Sequence, residues 1–303
     1  MLFKSRAKVN LTLEIIGRRE DGWHILDTVF QPLSVGDRIF AERRASGLVF
    51  SCSDRALETP DNLACRAFRL VQARFGLEEG LEIRLEKSIP SEAGLGGGSG
   101  DAACVLKLCN ELFGLGLSRR QLAELGAPLG ADVPCLVYDG ATRGRGTGTE
   151  VTPIPTDIIL SLLIVKPPVG LSTPLMYRRL DELGLGGETA EAVGDGAVQA
   201  PAAGPGRSGL AEAALRAGNV QALKAQLWNA FDAAADGEEI RLSRRMLSLA
   251  GAETVVLCGS GSASFGVFPD AAARDRAAEK LRSALPEDWL VLPADTVYGE
   301  ETV

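Results

Sequence analysis

From Phe3 to Ile15 the apolar residues Phe3, Ala7, Val9, Leu11, Leu13 and Ile15 alternate with Lys4, Arg6, Lys8, Asn10, Thr12 and Glu14. This period of two predicts one long strand with a polar face, on which Lys8 and Asn10 project to the same side, ~7 Å apart. Such a face is either solvated or lines a cleft. After Gly17 comes the turn-like Arg18-Arg19-Glu20-Asp21-Gly22, then Trp23-His24 and an apolar stretch from Leu26 to Leu33. A loop presents the indole and the imidazole together, as core and satisfied polar residue or as parts of a site. Leu81, Ile83 and Leu85 alternate with Glu82, Arg84 and Glu86, the mark of a half-buried strand. Asp61-Asn62-Leu63 opens a helix to about Phe75, and Ser118 opens another through Leu125 that ends at Gly126. From Asp101 onward Val105, Leu108, Cys109 and Leu112 recur at helical spacing, with Ser99 or Asp101 as the cap.

Residues Arg143 to Glu150 read as a glycine-threonine turn, and Pro153 to Pro155 as a domain boundary. Beyond it the pattern predicts a buried strand over Ile158 to Val165, a loop over Lys166 to Thr173 and a short helix through Leu183. From Gly184 to Gly209 the composition falls to glycine, alanine, proline and acidic residues, which predicts a mobile insertion. Helices are expected at Leu210 to Arg216, Val220 to Ala235 and Glu239 to Ala250. A strand Thr254 to Cys258, a glycine loop Gly259 to Ser262, a strand Ala263 to Phe268, a capped helix from Asp270 and a strand Trp289 to Leu292 follow. The chain is thus α+β, with domains over 1–155 and 156–303.

Composition narrows the chemistry. The 303 residues suit two cores, and a net charge of −8 argues against a protein that coats nucleic acid, while leaving room for a small anionic ligand. Lys4, Arg6 and Lys8 interrupt any secretory signal, and the longest apolar run, Ile158 to Val165, falls well short of the ~20 residues that span a bilayer. Six cysteines without a Cys-x-x-Cys pair read as reduced core thiols of a cytoplasmic protein. His24 is the only histidine, which nearly excludes a histidine-built zinc site and leaves Mg²⁺ chemistry, for which the protein supplies only one or two oxygens.

The most informative stretch is Pro90-Ser91-Glu92-Ala93-Gly94-Leu95-Gly96-Gly97-Gly98-Ser99-Gly100, between the Leu81 to Glu86 strand and the helix. An anion at such a joint meets unpaired backbone N–H groups and the positive end of the helix dipole, and glycine permits close approach. The stretch fails the dinucleotide fingerprint and lacks the Gly-Lys-Ser/Thr ending of a Walker A loop; on its own it is a phosphate cradle or a flexible turn. Further on, Leu129-Gly130-Ala131-Asp132-Val133-Pro134 places one carboxylate among small residues, as a helix cap or as a presented base.

Three segments in order, the Lys8-bearing strand, the Pro90 to Gly100 loop and Gly259-Ser260-Gly261-Ser262, resemble the GHMP kinase superfamily. Ala7-Lys8-Val9-Asn10-Leu11, Asp21-Gly22-Trp23-His24, the triple glycine and Gly130-Ala131-Asp132-Val133-Pro134 resemble the branch whose substrate is 4-diphosphocytidyl-2-C-methyl-D-erythritol. The resemblance implies a two-domain fold, an N-terminal domain like ribosomal protein S5 domain 2 and a ferredoxin-like C-terminal domain, with the active site in the cleft between them. It implies transfer of the γ-phosphoryl group of ATP, with Mg²⁺, to the 2-hydroxyl of that small-molecule substrate, in non-mevalonate isoprenoid synthesis, by a cytoplasmic monomer or weak homodimer that binds neither nucleic acid nor membrane. Asp132 would accept the hydroxyl proton beside Lys8. ATP would lie on Pro90 to Gly100 with Asn62 near the adenine nucleotide. Trp23, His24 and Asn10 would hold the cytidine, with Tyr177 as the opposing ring and Thr173 at the methylerythritol. Gly100 departs from the branch, which commonly has a second serine there, and Cys258 stands where serine or threonine is more usual. A homoserine- or mevalonate-type kinase would keep the loop without needing the aromatic clamp. A non-catalytic nucleotide-binding regulator would not need both Lys8 and Asp132.

Overall fold

The computed structural model describes residues 1–186 and 206–299. The amino-terminal alternation forms two strands, β1 (Leu2–Lys4) and β2 (Lys8–Arg18), instead of one. The break has a physical cause. A Cβ on Gly36 would stand 1.9 Å from the Ser5 carbonyl oxygen, so the backbone at residue 36 presses on Ser5, and the chain passes there from one sheet to another. Next come β3 (His24–Pro32), β4 (Arg38–Arg44), β5 (Leu48–Cys52), α1 (Leu63–Phe75) and β6 (Gly80–Glu86). β1, β4, β6 and β5 make one sheet in the order β1-β4-β6-β5.

Helix α2 (Gly97–Leu112) starts four residues before the expected Asp101, on Gly96 in the left-handed region (φ 66°), with no side-chain cap. Neither Ser99 nor Asp101 caps it, because both lie inside its first turns. α3 (Arg119–Gly126) has the capping box that Ser118 and Gln121 predict, and α4 (Val133–Val137) follows Asp132. Leu81, Ile83 and Leu85 pack with Phe68, Val71, Val105 and Leu108 into a core beneath α1 and α2. β7 (Thr142–Gly146) and β8 (Glu150–Pro153) form a hairpin, so most of the expected 143–150 turn is strand.

β9 (Ser161–Lys166) and α5 (Thr173–Glu182) follow. The expected insertion at 184–209 lies largely outside the described residues, but α6 (Arg207–Arg216) takes in its last positions: Ser208 is buried and bonds Thr12 Oγ1 at 2.9 Å and the Asp27 carbonyl at 2.9 Å. The single helix expected over Val220 to Ala235 is instead α7 (Val220–Lys224), the short strand β10 (Trp228–Asn229) and a 3₁₀ turn. β10 pairs in parallel with β2, placing Thr12 opposite Trp228, and completes the sheet β10-β2-β3-β7-β8. α8 (Glu238–Leu249), β11 (Thr254–Leu257), β12 (Ser264–Phe268), α9 (Ala271–Ala284) and β13 (Leu290–Asp295) complete the chain. β11, β12, β9 and β13 form a third, antiparallel sheet in the order β11-β12-β9-β13, with α8 and α9 packed against it.

The polar face of β2 is not solvated: Lys8, Asn10 and Thr12 are all buried. Its inner end meets the glycine loop, since the Lys8 amide donates to the Leu95 carbonyl at 2.9 Å. Its outer end anchors α6, where the Glu14 carboxylate accepts from the Arg207 and Ser208 amides at 3.0 and 2.7 Å and fills the role of a helix cap. Arg143 on β7 ties the same helix down, donating to both carboxylate oxygens of Asp27 and, at 2.9 Å, to Glu212.

Candidate active site

The glycine loop is built by close backbone approach. At Gly94 (φ 73°) a Cβ would meet the Cys258 carbonyl oxygen at 1.7 Å, so only glycine lets the loop lie against the Gly259–Ser262 hairpin. Glu92 and Ala93 carbonyls accept from the Ser262 and Ala263 amides, which stitches the two loops together. The first intrahelical bond of α2 runs from Gly100 N–H to the Gly96 carbonyl. The amides of Gly97, Gly98 and Ser99 therefore precede any intrahelical partner and form an anion cradle at a helix N-terminus. Gly94→Ala is expected to cost at least about 1–2 kcal/mol from its left-handed backbone alone. A thermal melt should register this as a fall of about 2–4 °C per kcal/mol, and ATP affinity should fall with it.

Lys8 converges on this cradle from β2. Its aliphatic stem crosses Gly96, where a Cβ would meet Lys8 Cγ and Cε at 3.1 Å, and its ammonium lies 3.2 Å from the Cβ position of Gly259. The ammonium donates to Asn10 Oδ1 at 2.9 Å and sits 3.1 Å from the Asp132 carboxylate. Asn10 is held in turn by its amide, which donates to Thr28 Oγ1 at 2.8 Å. A buried ammonium needs such partners, because burial without them is very costly. Asp132 precedes α4, yet its side chain makes no capping bond and is 32% exposed. Of the two sequence readings, cap or presented base, the geometry fits the second. The same cleft carries a ring system. His24 Nε2 meets Asp181 Oδ1 at 2.8 Å, Arg18 backs the same carboxylate at 3.4 Å, and Tyr177 stacks on His24 at 4.4 Å between centroids. Phe231 meets the other side of Tyr177 edge-on. Burial pushes the Tyr177 phenol well above its ordinary pKa, and the nearby Asp132 charge adds to it, so this hydroxyl stays protonated.

Lys8, Asp132, Asn10, Trp23, His24, Thr173, Tyr177, Asn62 and Pro90 through Ser99 all line one cleft of about 1170 Å³. Three placements differ from expectation. Gly100 is not part of the cleft wall: a side chain there would meet the Arg6 carbonyl at 2.2 Å, so the serine hydroxyl this chain lacks would not face the cleft. Tyr177 lies against His24 instead of standing free opposite Trp23, whose indole is 64% exposed on the rim. Asn10 spends its oxygen on Lys8, and so orients the ammonium. Asn62 caps α1 through Ala64 N–H, and Thr173 bonds Ser260 at 2.8 Å. No local pattern in the chain marks out Asp181, Thr28 or Asn229. The last pins the second glycine loop by donating to the Leu257 and Gly259 carbonyls at 2.8 and 2.7 Å.

Residues 62–140, which hold the cradle and Asp132, match the family described as GHMP kinases N terminal domain. The fold and the cleft define an ATP-dependent small-molecule kinase of the GHMP class. The chain is 40% identical over 284 residues to the 4-diphosphocytidyl-2-C-methyl-D-erythritol kinase of Moorella thermoacetica, covering 93% of this chain and 94% of that one. A crystal structure of 4-(cytidine 5'-diphospho)-2C-methyl-D-erythritol kinase superposes with a TM-score of 0.77 at 32% identity, covering 99% of this chain and 100% of that one. The mevalonate kinase of L. major, solved with R-mevalonate, shares the fold alone, with a TM-score of 0.71 at 16% identity over 99% and 96% of the two chains. The chain belongs to the 4-diphosphocytidyl-2-C-methyl-D-erythritol kinase family.

Proposed function

We propose that this protein transfers the γ-phosphoryl group of ATP to the 2-hydroxyl of 4-diphosphocytidyl-2-C-methyl-D-erythritol, with Asp132 as the base and Lys8 as its partner. The observation that carries the reading is the Lys8 ammonium, 3.1 Å from the Asp132 carboxylate and set against both glycine loops. Asp132 takes the hydroxyl proton as that oxygen bonds to the γ-phosphorus. The bond from the γ-phosphorus to the β,γ-bridging oxygen then breaks, and ADP leaves with that oxygen. Lys8 pairs with the Asp132 carboxylate and offsets charge on the transferring group, while the cradle amides hold the phosphates.

Mg²⁺ belongs to the same reading. Among the described residues no cluster of three or more His, Cys, Asp or Glu side chains could hold a metal, which suits an ion carried largely by the nucleotide. Ser99, which lines the cleft in the first turn of α2, is the side chain that would complete its shell, and Mg²⁺ would neutralise phosphate charge there.

The ring system in the cleft favours a base-bearing substrate over homoserine or mevalonate. In neutral His24 the Nε2 proton is committed to Asp181, which leaves Nδ1 as an acceptor suited to an exocyclic amine. Trp23→Ala removes an exposed ring with little structural role, and stacking on a base is worth ~1–3 kcal/mol. The KM for the cytidine substrate is expected to rise about tenfold with that for ATP nearly unchanged. An equal rise in both would remove Trp23 from the base site.

A division into domains 1–155 and 156–303 is part of the proposal, supported by the third sheet, whose strands all come from the second segment; β10 then reaches back to β2. A cytoplasmic monomer or weak homodimer accords with six buried, free cysteines, and no described helix is long and apolar enough to cross a membrane.

A further inference from the structure

Beside the cradle lies a second, largely buried charge cluster to which the phosphoryl-transfer step assigns no role, although Lys87 and Asp101 also reach the cleft wall. Lys87 directly follows β6, and its ammonium donates to Asp37 Oδ2 and, at 2.8 Å, to Asp101 Oδ2. The side chains of Asp37 and Asp101 are 0% and 2% exposed, and that of Lys87 11%. Asp37 also accepts from the amides of Ser88 and Ile89 and is fixed by Ser5, whose hydroxyl accepts from its N–H at 3.0 Å. Asp101 sits in the second turn of α2, immediately after the glycines.

Through Asp37, which holds the Ser88 and Ile89 amides before the loop, and Asp101 just after it, Lys87 ties together the two ends of Pro90 to Gly100. Its ammonium lies 3.5 Å from the Cβ position of Gly97, beside the cradle. The arrangement is electrostatically uneven, with two buried carboxylates to one ammonium. Asp101 Oδ1 has no hydrogen-bond partner, and burial, with Asp37 adding, raises the Asp101 carboxyl to about 7 despite Lys87. A buried acceptor left unmatched is costly, so Asp101 is better explained by its bond to Lys87 than by core packing.

We propose that Lys87 is a positioning residue, clasped between Asp37 and Asp101, that holds the two ends of the phosphate loop in register and so presets the cradle amides for the nucleotide. This rests on the reading of the loop as an ATP site. It differs from a direct role for Lys87 on the nucleotide in two respects: the clasp must act in the free protein, and it must need Asp101 as much as Lys87.

The test uses the full chain carrying Asp101→Asn, Lys87→Met or both, at roughly pH 8.5 so that Asp101 is ionised. Hydrogen exchange of the bonded amides that hold the loop, those of Ser88, Ile89, Gly100, Ser262 and Ala263, is read without nucleotide, and ATP affinity, KM and kcat are read with it. The clasp predicts that Asp101→Asn alone speeds loop exchange about tenfold or more and weakens ATP several-fold, with a smaller change in kcat. The double variant should be no worse than Lys87→Met, since both remove one contact. Should Lys87→Met fail to fold, Asp101→Asn decides alone. Unchanged loop exchange with ATP affinity equal to or better than that of the parent in Asp101→Asn would overturn the clasp and make Lys87 a nucleotide contact. Faster loop exchange in Asp101→Asn, with no ATP binding by the parent protein, would instead leave the clasp standing and remove the ATP reading of the loop.

Discussion

Asp132→Asn is expected to lower kcat by about 10²- to 10⁴-fold, the range for loss of a positioned base, while the affinity for ATP stays within about twofold. The asymmetry follows from the site. The cradle amides belong to Gly97, Gly98 and Ser99 at the start of α2, and none depends on the Asp132 side chain. Asparagine keeps the shape next to Lys8 but cannot take a proton from the attacking hydroxyl. No helix cap is lost, but Lys8 loses its carboxylate partner, so the substitution should also lower the melting temperature by a few degrees. Equilibrium binding of ATP, steady-state turnover and a thermal melt on one preparation check all three statements. Turnover near that of the parent would take Asp132 out of its role.

Lys8→Met should be the more general lesion. Removing the ammonium deprives Asp132 of its partner and the transferring phosphoryl of a fixed positive charge, and loss of one such electrostatic group costs about 10²- to 10³-fold in kcat. ATP binding should weaken as well, unlike in Asp132→Asn, because the Lys8 stem lies on Gly96 and its amine beside Gly259. Lys8→Arg should not rescue activity. A Cβ on Gly96 or Gly259 would stand only 3.1 or 3.2 Å from Lys8, so both glycines lie close along its side chain and a wider, planar guanidinium fits poorly. The measurement is KM and kcat for both substrates in the two variants, and recovery of most activity by arginine would show that only the charge matters.

Much of this architecture was legible in the chain because it is local. The Ser118 capping box, the Asn62 start of α1 and the alternation in β6 are each decided by residues within a few positions of one another. Readings failed where a distant segment decides. The break after β1 is made by Gly36 pressing on Ser5, and the break after α7 by Asn229, which leaves helix to bond carbonyls at Leu257 and Gly259. The early start of α2 reflects four glycine and serine positions of poor helix propensity, held helical by their packing on Ile89, Leu63 and Arg6.

The site divides in the same way. Lys8, Asp132 and the glycine loop could be named because each sits in a distinctive short motif. Asp181, 157 residues from His24, and Asp37, 50 residues from Lys87, could not, since a carboxylate that matters only through one distant partner leaves no local pattern. The sequence reading set Tyr177 across from Trp23, yet the phenol stacks on His24, an arrangement that depends on how α5 packs against β3.

The central claim is tested most directly by incubating the purified protein with ATP, Mg²⁺ and each of three acceptors, 4-diphosphocytidyl-2-C-methyl-D-erythritol, homoserine and mevalonate, and following ADP release together with phosphorus NMR of the product. The account predicts one new phosphomonoester, on the 2-hydroxyl of the cytidine-bearing acceptor, with turnover on the other two lower by orders of magnitude. Comparable transfer to homoserine or mevalonate, or none to the cytidine substrate, would contradict it.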